Sequence, residues 1–261
     1  TGTSWKSGGN TYYAALRSDV ALTIALTDDN IIRIGNGEDS RWGINGDKNL
    51  TFTGDKLTVT CVGSSDNNKS FGVESKGITN SATLTATAGN ATTSSYGVYS
   101  ADDAINNFGT LTATAGDAPQ SFGVSGTNAL INSGTLTATA GNATTYSCGV
   151  AGKNITNSGT LTATAGTATN AYGVIDFAVL TVNGGTVTSY GTIQATTSIT
   201  AASATVTGAT EKFTSGETKS LTRKGTDPIA IFFKTSVTFD ESSKPVNGGN
   251  AITYGTTYTV T

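Results

Sequence analysis

Thr83-Leu84-Thr85-Ala86-Thr87-Ala88-Gly89 decides the fold, because the chain writes this stretch four times. The leucines fall at 84, 111, 136 and 161, so successive copies lie 27, 25 and 25 residues apart. Self-similarity at this period marks a solenoid, in which each copy is one coil that cannot bury its own apolar face and must stack on its neighbours. Within the stretch the period is two: Leu84, Ala86 and Ala88 face a narrow shared interior, and Thr83, Thr85 and Thr87 face out. Gly89, Gly116, Gly141 and Gly166 follow, where the chain must turn.

Other columns keep step with the leucines. An apolar residue precedes each by six places (Ile78, Ile105, Leu130, Ile155), and an asparagine by four (Asn80, Asn107, Asn132, Asn157). A Ser/Ala-aromatic-Gly-Val element recurs at Ser70–Val73, Ser95–Val98, Ser121–Val124 and Ala171–Val174, with Cys148 replacing the aromatic residue in Ser147–Val150. Each coil therefore offers three short extended segments joined by corners. Weaker copies around Trp42, Leu57, Leu180 and Tyr190 extend the array to six or seven coils, about 30 Å of stack at the inter-strand spacing of a sheet. Strand parity places Trp42, Phe71, Tyr96, Phe122, Cys148, Tyr172 and Tyr190 in one interior column, and the asparagines at a corner where stacked amides can bond along the axis.

The expected architecture is all-β: a single parallel β-helix of about 25 residues per coil with a cap at each end. Residues 1–31 form the N-terminal cap, with Asn10-Thr11 starting a short helix over Tyr12 to Arg17 and Val20, Leu22, Ile24 and Leu26 alternating as a strand. Coils occupy 32–208. Residues 209–261 close the other end with strands at Pro228 to Phe233, Ser236 to Phe239 and Ala251 to Val260. Caps are required because bare coil ends are templates for strand addition.

Charge is distributed accordingly. Residues 1–56 carry 13 of the 33 charged side chains and 201–261 carry 11, whereas 84–200 hold only Asp102, Asp103, Asp117, Lys153 and Asp176. With a formal net charge of −3 and no basic stripe, nothing drives binding to a phosphate backbone, so nucleic acid is not an expected partner. The sequence has no apolar run long enough to span a membrane and no signal peptide, which reads as a mature secreted chain or an excised ectodomain, the secreted reading being favoured. Cys61 and Cys148 lie three coils apart, roughly 14 Å, too far for a disulfide, and read as buried thiols.

The chain resembles the right-handed parallel β-helix proteins of bacterial surfaces, the pectate-lyase-like and adhesin-like group. The likeness rests on the helix-then-strand entry over Thr11 to Ile34, on Asn49-Leu-Thr-Phe-Thr-Gly54 followed by Lys56-Leu-Thr-Val-Thr60, and on the Thr-Leu-Thr-Ala-Thr coils, together about residues 11–208. It implies a right-handed coil and a secreted or cell-surface bacterial protein. Lyases of that fold use clustered acidic residues, usually with calcium, and a basic residue that abstracts the sugar proton; the middle of this chain is nearly bare of both.

The absence of histidine excludes Ser-His-Asp and Cys-His catalysis and histidine-ligated metals. No enzyme activity and no cofactor are expected. Asp102, Asp103 and Asp117 are the weak candidates for a calcium site, the first two at a corner where the 27-residue coil bulges before Ile105. The candidate contact surface is the threonine sheet: Thr83, Thr85 and Thr87; Thr110, Thr112 and Thr114; Thr135, Thr137 and Thr139; Thr160, Thr162 and Thr164, thinning through Thr58 and Thr60 on one side and Thr181, Thr205 and Thr207 on the other. Threonine also favours strands for its own sake. The expected function is a non-catalytic structural or adhesive module that contacts glycan or another repetitive surface through this array. The alternatives are ice binding by the same face, as in insect-type antifreeze solenoids with ranks of Thr-x-Thr, and self-assembly into an extracellular filament through the coil ends.

Overall fold

A computed structural model describes residues 3–7, 10–35, 37, 39–63, 68–233, 235–238 and 257–260. The chain is an all-β solenoid of about seven turns, and no helix occurs among the described residues. None is therefore long and apolar enough to cross a membrane.

Each central coil contributes one strand to each of three faces. The serine-aromatic face stacks Arg41–Gly46, Lys69–Ser75, Ser94–Ser100, Gln120–Gly126, Tyr146–Gly152, Asn170–Asp176 and Thr192–Ala195. The asparagine face stacks Ile78–Asn80, Ile105–Asn107, Leu130–Asn132, Ile155–Asn157, Val179–Val182 and Ser198–Thr200, and the threonine face Thr83–Asn90, Thr110–Thr114, Thr135–Thr139, Thr160–Thr164 and Thr186–Tyr190. The last two faces join into one sheet because Leu50–Gly63 runs without a break through their shared corner and pairs with both Ile78–Asn80 and Thr83–Asn90. Gly54 makes that corner possible: its φ is +87°, and a Cβ there would lie 2.1 Å from the Leu26 carbonyl oxygen.

Register follows the sequence columns. Leu84, Leu111, Leu136 and Leu161 are direct parallel partners, as are the alanines two places on, and all eight side chains are fully buried. They form one core with Ile78, Ile105, Leu130 and Ile155 from the asparagine face and Val73, Val98, Val124 and Val150 from the serine-aromatic face. Burying a leucine of this kind contributes roughly 1.5–3 kcal/mol, and the interior grows by the same set with each turn.

The N-terminal helix expected over Tyr12 to Arg17 is instead part of a strand, Asn10–Ser18. It pairs in parallel with Arg41–Gly46, placing Ala14 on Trp42 and Leu16 on Ile44, and Thr3–Ser7 closes its other edge antiparallel. An open strand edge with apolar partners in register outweighs the helix propensity of Ala14-Ala15-Leu16-Arg17, which is high residue by residue but too short a run to hold a helix alone. The stacked ladder thus already includes Asn10–Ser18 and Leu22–Ile34.

At the far end the closing strand expected at Pro228 to Phe233 is Ile229–Phe233, antiparallel to Thr186–Tyr190 and followed outward by Ala204–Thr207. Ser220–Leu221 closes the serine-aromatic face in the same way. Thr235–Thr238 pairs with Thr257–Val260, and the rest of the closing strands expected up to Phe239 and from Ala251 lies outside the described residues.

Candidate binding faces

Three internal ladders fix the coils against one another. The asparagine amides run down the buried corner: Asn80 donates to Asn107 Oδ1 at 2.8 Å, Asn107 to Asn132 at 2.8 Å and Asn132 to Asn157 at 2.7 Å. Each amide nitrogen also donates to a carbonyl where the threonine strands begin, as Asn107 does to Thr135 O. Serine hydroxyls form the second ladder. Ser121 donates to Gly116 O in its own coil at 2.9 Å and accepts from Gly141 N of the next at 2.8 Å, with Ser95 and Ser147 repeating the arrangement. The third is exposed, where Asn90, Asp117 and Asn142 each accept a backbone N–H from the following coil.

These ladders hold the threonine face. Thr58, Thr85, Thr112, Thr137, Thr162 and Thr188 form one column, Thr83, Thr110, Thr135, Thr160 and Thr186 a second, and Thr60, Thr87, Thr114, Thr139 and Thr164 a third. All of the expected contact residues from Thr83 to Thr164 lie together here, half-buried or exposed, while the residues between them are buried. Side chains repeat at ~6.7 Å along the strands and ~4.8 Å between them. Lys56, Ile31 and Arg33 occupy the columns at the N-terminal margin, and Tyr190 and Phe232 at the other.

Two expected positions move. Thr181 belongs to the asparagine face, paired with Thr156, and Thr186 and Thr188 continue the threonine columns in its place. Tyr190 pairs with Thr164 and so stands on the threonine face, 41% exposed, rather than in the aromatic column, where Thr192 follows Tyr172. The bend at Asn183-Gly184-Gly185 holds one residue more than Ser158-Gly159, and the next bend is cut short so that only Gly191 separates Tyr190 from Thr192.

The acidic candidates are not brought together. Asp102 and Asp103 sit at the corner entering the asparagine face, where Asp102 pairs with Lys76 at 2.8 Å and Asp103 accepts from Asn49 at 3.1 Å. Asp117 lies at the opposite corner, after the threonine strand, where it accepts from Asn142 N. Among the described residues no group of three or more acidic, cysteine or histidine side chains has metal-binding geometry. Asp176 was not a candidate, yet it is fully buried and accepts from the N–H groups of Asn154, Ile155 and Ala178; burial pushes its carboxyl above the usual range.

The aromatic column is the main correction. Sequence parity placed the rings in the interior with the valines, but they stack on the outside of the serine-aromatic face. Val98 lies in the core, so its neighbour Tyr99 faces out, and Tyr96 packs against Tyr99 at 5.0 Å. The cause is the glycine between ring and valine. A Cβ on Gly97 would point across the interior to within 2.7 Å of the Thr114 backbone nitrogen, so glycine and valine both face inward and the alternation slips by one. Trp42, Phe71, Tyr96 and Phe122 then stack face to face at 5.1 Å, with interplanar angles of 4–7°, and Tyr12 meets Trp42 edge-on. The stack stops at Cys148, a buried free thiol whose pKa burial pushes up to about 12; burial also raises the Cys61 thiol. Both sulfurs are protonated at neutral pH, which removes their nucleophilic form.

Beside the stack, the Trp42 indole N–H donates to the Glu74 carboxylate. Desolvation holds the Glu74 carboxyl above its ordinary range, against the opposing effects of that hydrogen bond and of nearby Lys69. A glycine repeated in every copy between a ring and a valine was the available sign of this outward stack. No protein family, curated protein or solved structure matches the chain.

Proposed function

We propose that this chain is a non-catalytic, secreted or surface-attached module that contacts an extended repetitive surface, glycan in the first place, through its threonine face. The observation that carries this reading is the unbroken register of the threonine columns, in which hydroxyls and methyls recur with no charged side chain from Thr83 to Thr164. A ligand that repeats can meet many such groups at once, and weak contacts then sum without a deep pocket. The reading gains further support from protonated thiols, the absence of histidine and carboxylates tied into corners, which leave no assembled nucleophile or proton shuttle among the described residues.

Co-sedimentation with insoluble polysaccharides tests it. Thr112→Tyr with Thr137→Tyr, placed mid-column on adjacent coils, sharply lowers retention if the face binds, while circular dichroism stays unchanged. Retention undiminished in the double variant removes the proposal. The paired methyl and hydroxyl of each threonine also favour ice as the repeating surface, and arrest of ice recrystallisation, lost in the same variant, separates that reading. Filament growth through the coil ends has less support, because antiparallel strands terminate the C-terminal ends of the serine-aromatic and threonine faces.

A further inference from the structure

We infer that the outer surface of the serine-aromatic face carries, over its first coils, a groove that binds a neutral saccharide around Glu74. This groove is on a different face from the threonine columns, so the inference stands whether or not those columns bind.

Two hollows flank Glu74. One, of about 250 Å³, is lined by Tyr12, Trp42, Phe71, Asn68, Lys69 and Glu74; the other, of about 180 Å³, by Asn45, Asp47, Glu74, Ser75 and Lys76. They share Glu74 as their common wall. Because the rings stack on one another's faces along the coil axis, they offer edges rather than platforms to the first hollow.

Asn45 supplies the independent sign of a ligand. It precedes Glu74 in the same outward column, is only 7% exposed, and its side chain bonds the Glu74 carboxylate, yet its carbonyl oxygen is buried with no hydrogen-bond partner. The corner asparagines Asn80, Asn107, Asn132 and Asn157 all have both amide ends satisfied. An orphaned acceptor costs about 1–3 kcal/mol, and Asn45 lines the second hollow, where a small turn of its side chain brings that oxygen to a ligand donor.

The chemistry of that donor follows from the walls. Lys76 is paired with Asp102 and Asp47 with Arg17, and Lys69 lies near Glu74, so the walls offer no unbalanced charge to an ionic ligand. Acceptors at Asn45, Glu74 and Asp47 alternate with donors at Asn68, Lys69 and Lys76 beside apolar ring edges. Hydroxyl groups that both donate and accept, carried on a ring with apolar C–H faces, satisfy all of these at once.

Saturation-transfer-difference NMR and isothermal titration with neutral β-linked glucohexaose, xylohexaose and mannohexaose test the inference on the whole chain. At least one is expected to bind, and Asn45→Ala and Glu74→Ala are each expected to weaken it about tenfold or more. Ala151 occupies the same outward column two coils beyond Tyr99, so both variants keep a side chain the coil accepts. Failure of all three hexasaccharides to bind overturns the proposal. Affinity unchanged in both variants, or binding lost instead in Thr112→Tyr with Thr137→Tyr, does so as well.

Discussion

At the scale of single residues, polar side chains set the register that the apolar ones only permit. Asn132 accepts from Asn107 and donates to Asn157 and to Thr160 O, all in the buried corner. Asn132→Ala leaves a donor above and an acceptor below without partners, and urea denaturation is expected to record a loss of about 1–3 kcal/mol; a change within error would mean that water enters the corner. Glu74 gives a pH signature. Desolvation raises its folded pKa above the unfolded value, so the stability it allows is fully present below the ordinary carboxylate range and is lost as pH rises through the raised value. Glu74→Gln cannot ionise, and the variant is expected to gain on the parent between pH 4 and pH 8 in paired denaturation midpoints. A difference that stays constant with pH would place the Glu74 carboxyl in water. The asparagine ladder was legible in the sequence, since an amide recurring at a fixed place before every leucine can serve itself along the axis. The unsatisfied Asn45 carbonyl was not, because it depends on what the neighbouring coil presents.

Among elements, the strand of the serine-aromatic face explains both what the sequence made clear and what it concealed. Alternation in the threonine strands is uninterrupted, so inward leucines and outward threonines could be read directly and hold over four copies. In the neighbouring face the same rule put the rings inside, because parity assumes an unbroken pleat and each glycine breaks it. Gly123 shows the constraint: a Cβ there would lie 2.6 Å from Thr139 N and 2.7 Å from Gly149 O, both backbone atoms. Gly123→Ala is therefore expected to cost about 1–3 kcal/mol or more. Gly126→Ala, where a Cβ meets nothing nearer than the Ile105 side chain at 3.5 Å, is expected to be near neutral. Equal thermal shifts in the two variants would contradict the close approach of the two faces. The helix expected over Tyr12 to Arg17 failed for a related reason, since its four-residue propensity says nothing of the strand edge waiting at Arg41–Gly46.

For the whole molecule, stability should follow the number of coils, because contacts between turns are mostly to the next turn. Deleting residues 135–159 joins Gly134 to Thr160 and reproduces the native Gly159–Thr160 junction with every column in phase. That shortened chain is expected to fold, with a smaller dependence on denaturant; deleting only 135–146 throws the faces out of phase and is expected to abolish the transition. A 25-residue deletion that unfolds the chain would show that the turns are not interchangeable. The corners explain where such a scaffold can vary. From Ile105 to Leu111, Leu130 to Leu136 and Ile155 to Leu161 the count is always the same, with the buried amides between. The 27-residue coil instead takes one additional residue between Ser100 and Ile105 and another after Thr87, at the other two bends. Over these central coils one bend thus keeps time while the other two are free to lengthen. A foreign peptide spliced between Ala101 and Ala104 should ride outside the coil, making the molecule a ruled rod on which epitopes can be mounted at chosen heights.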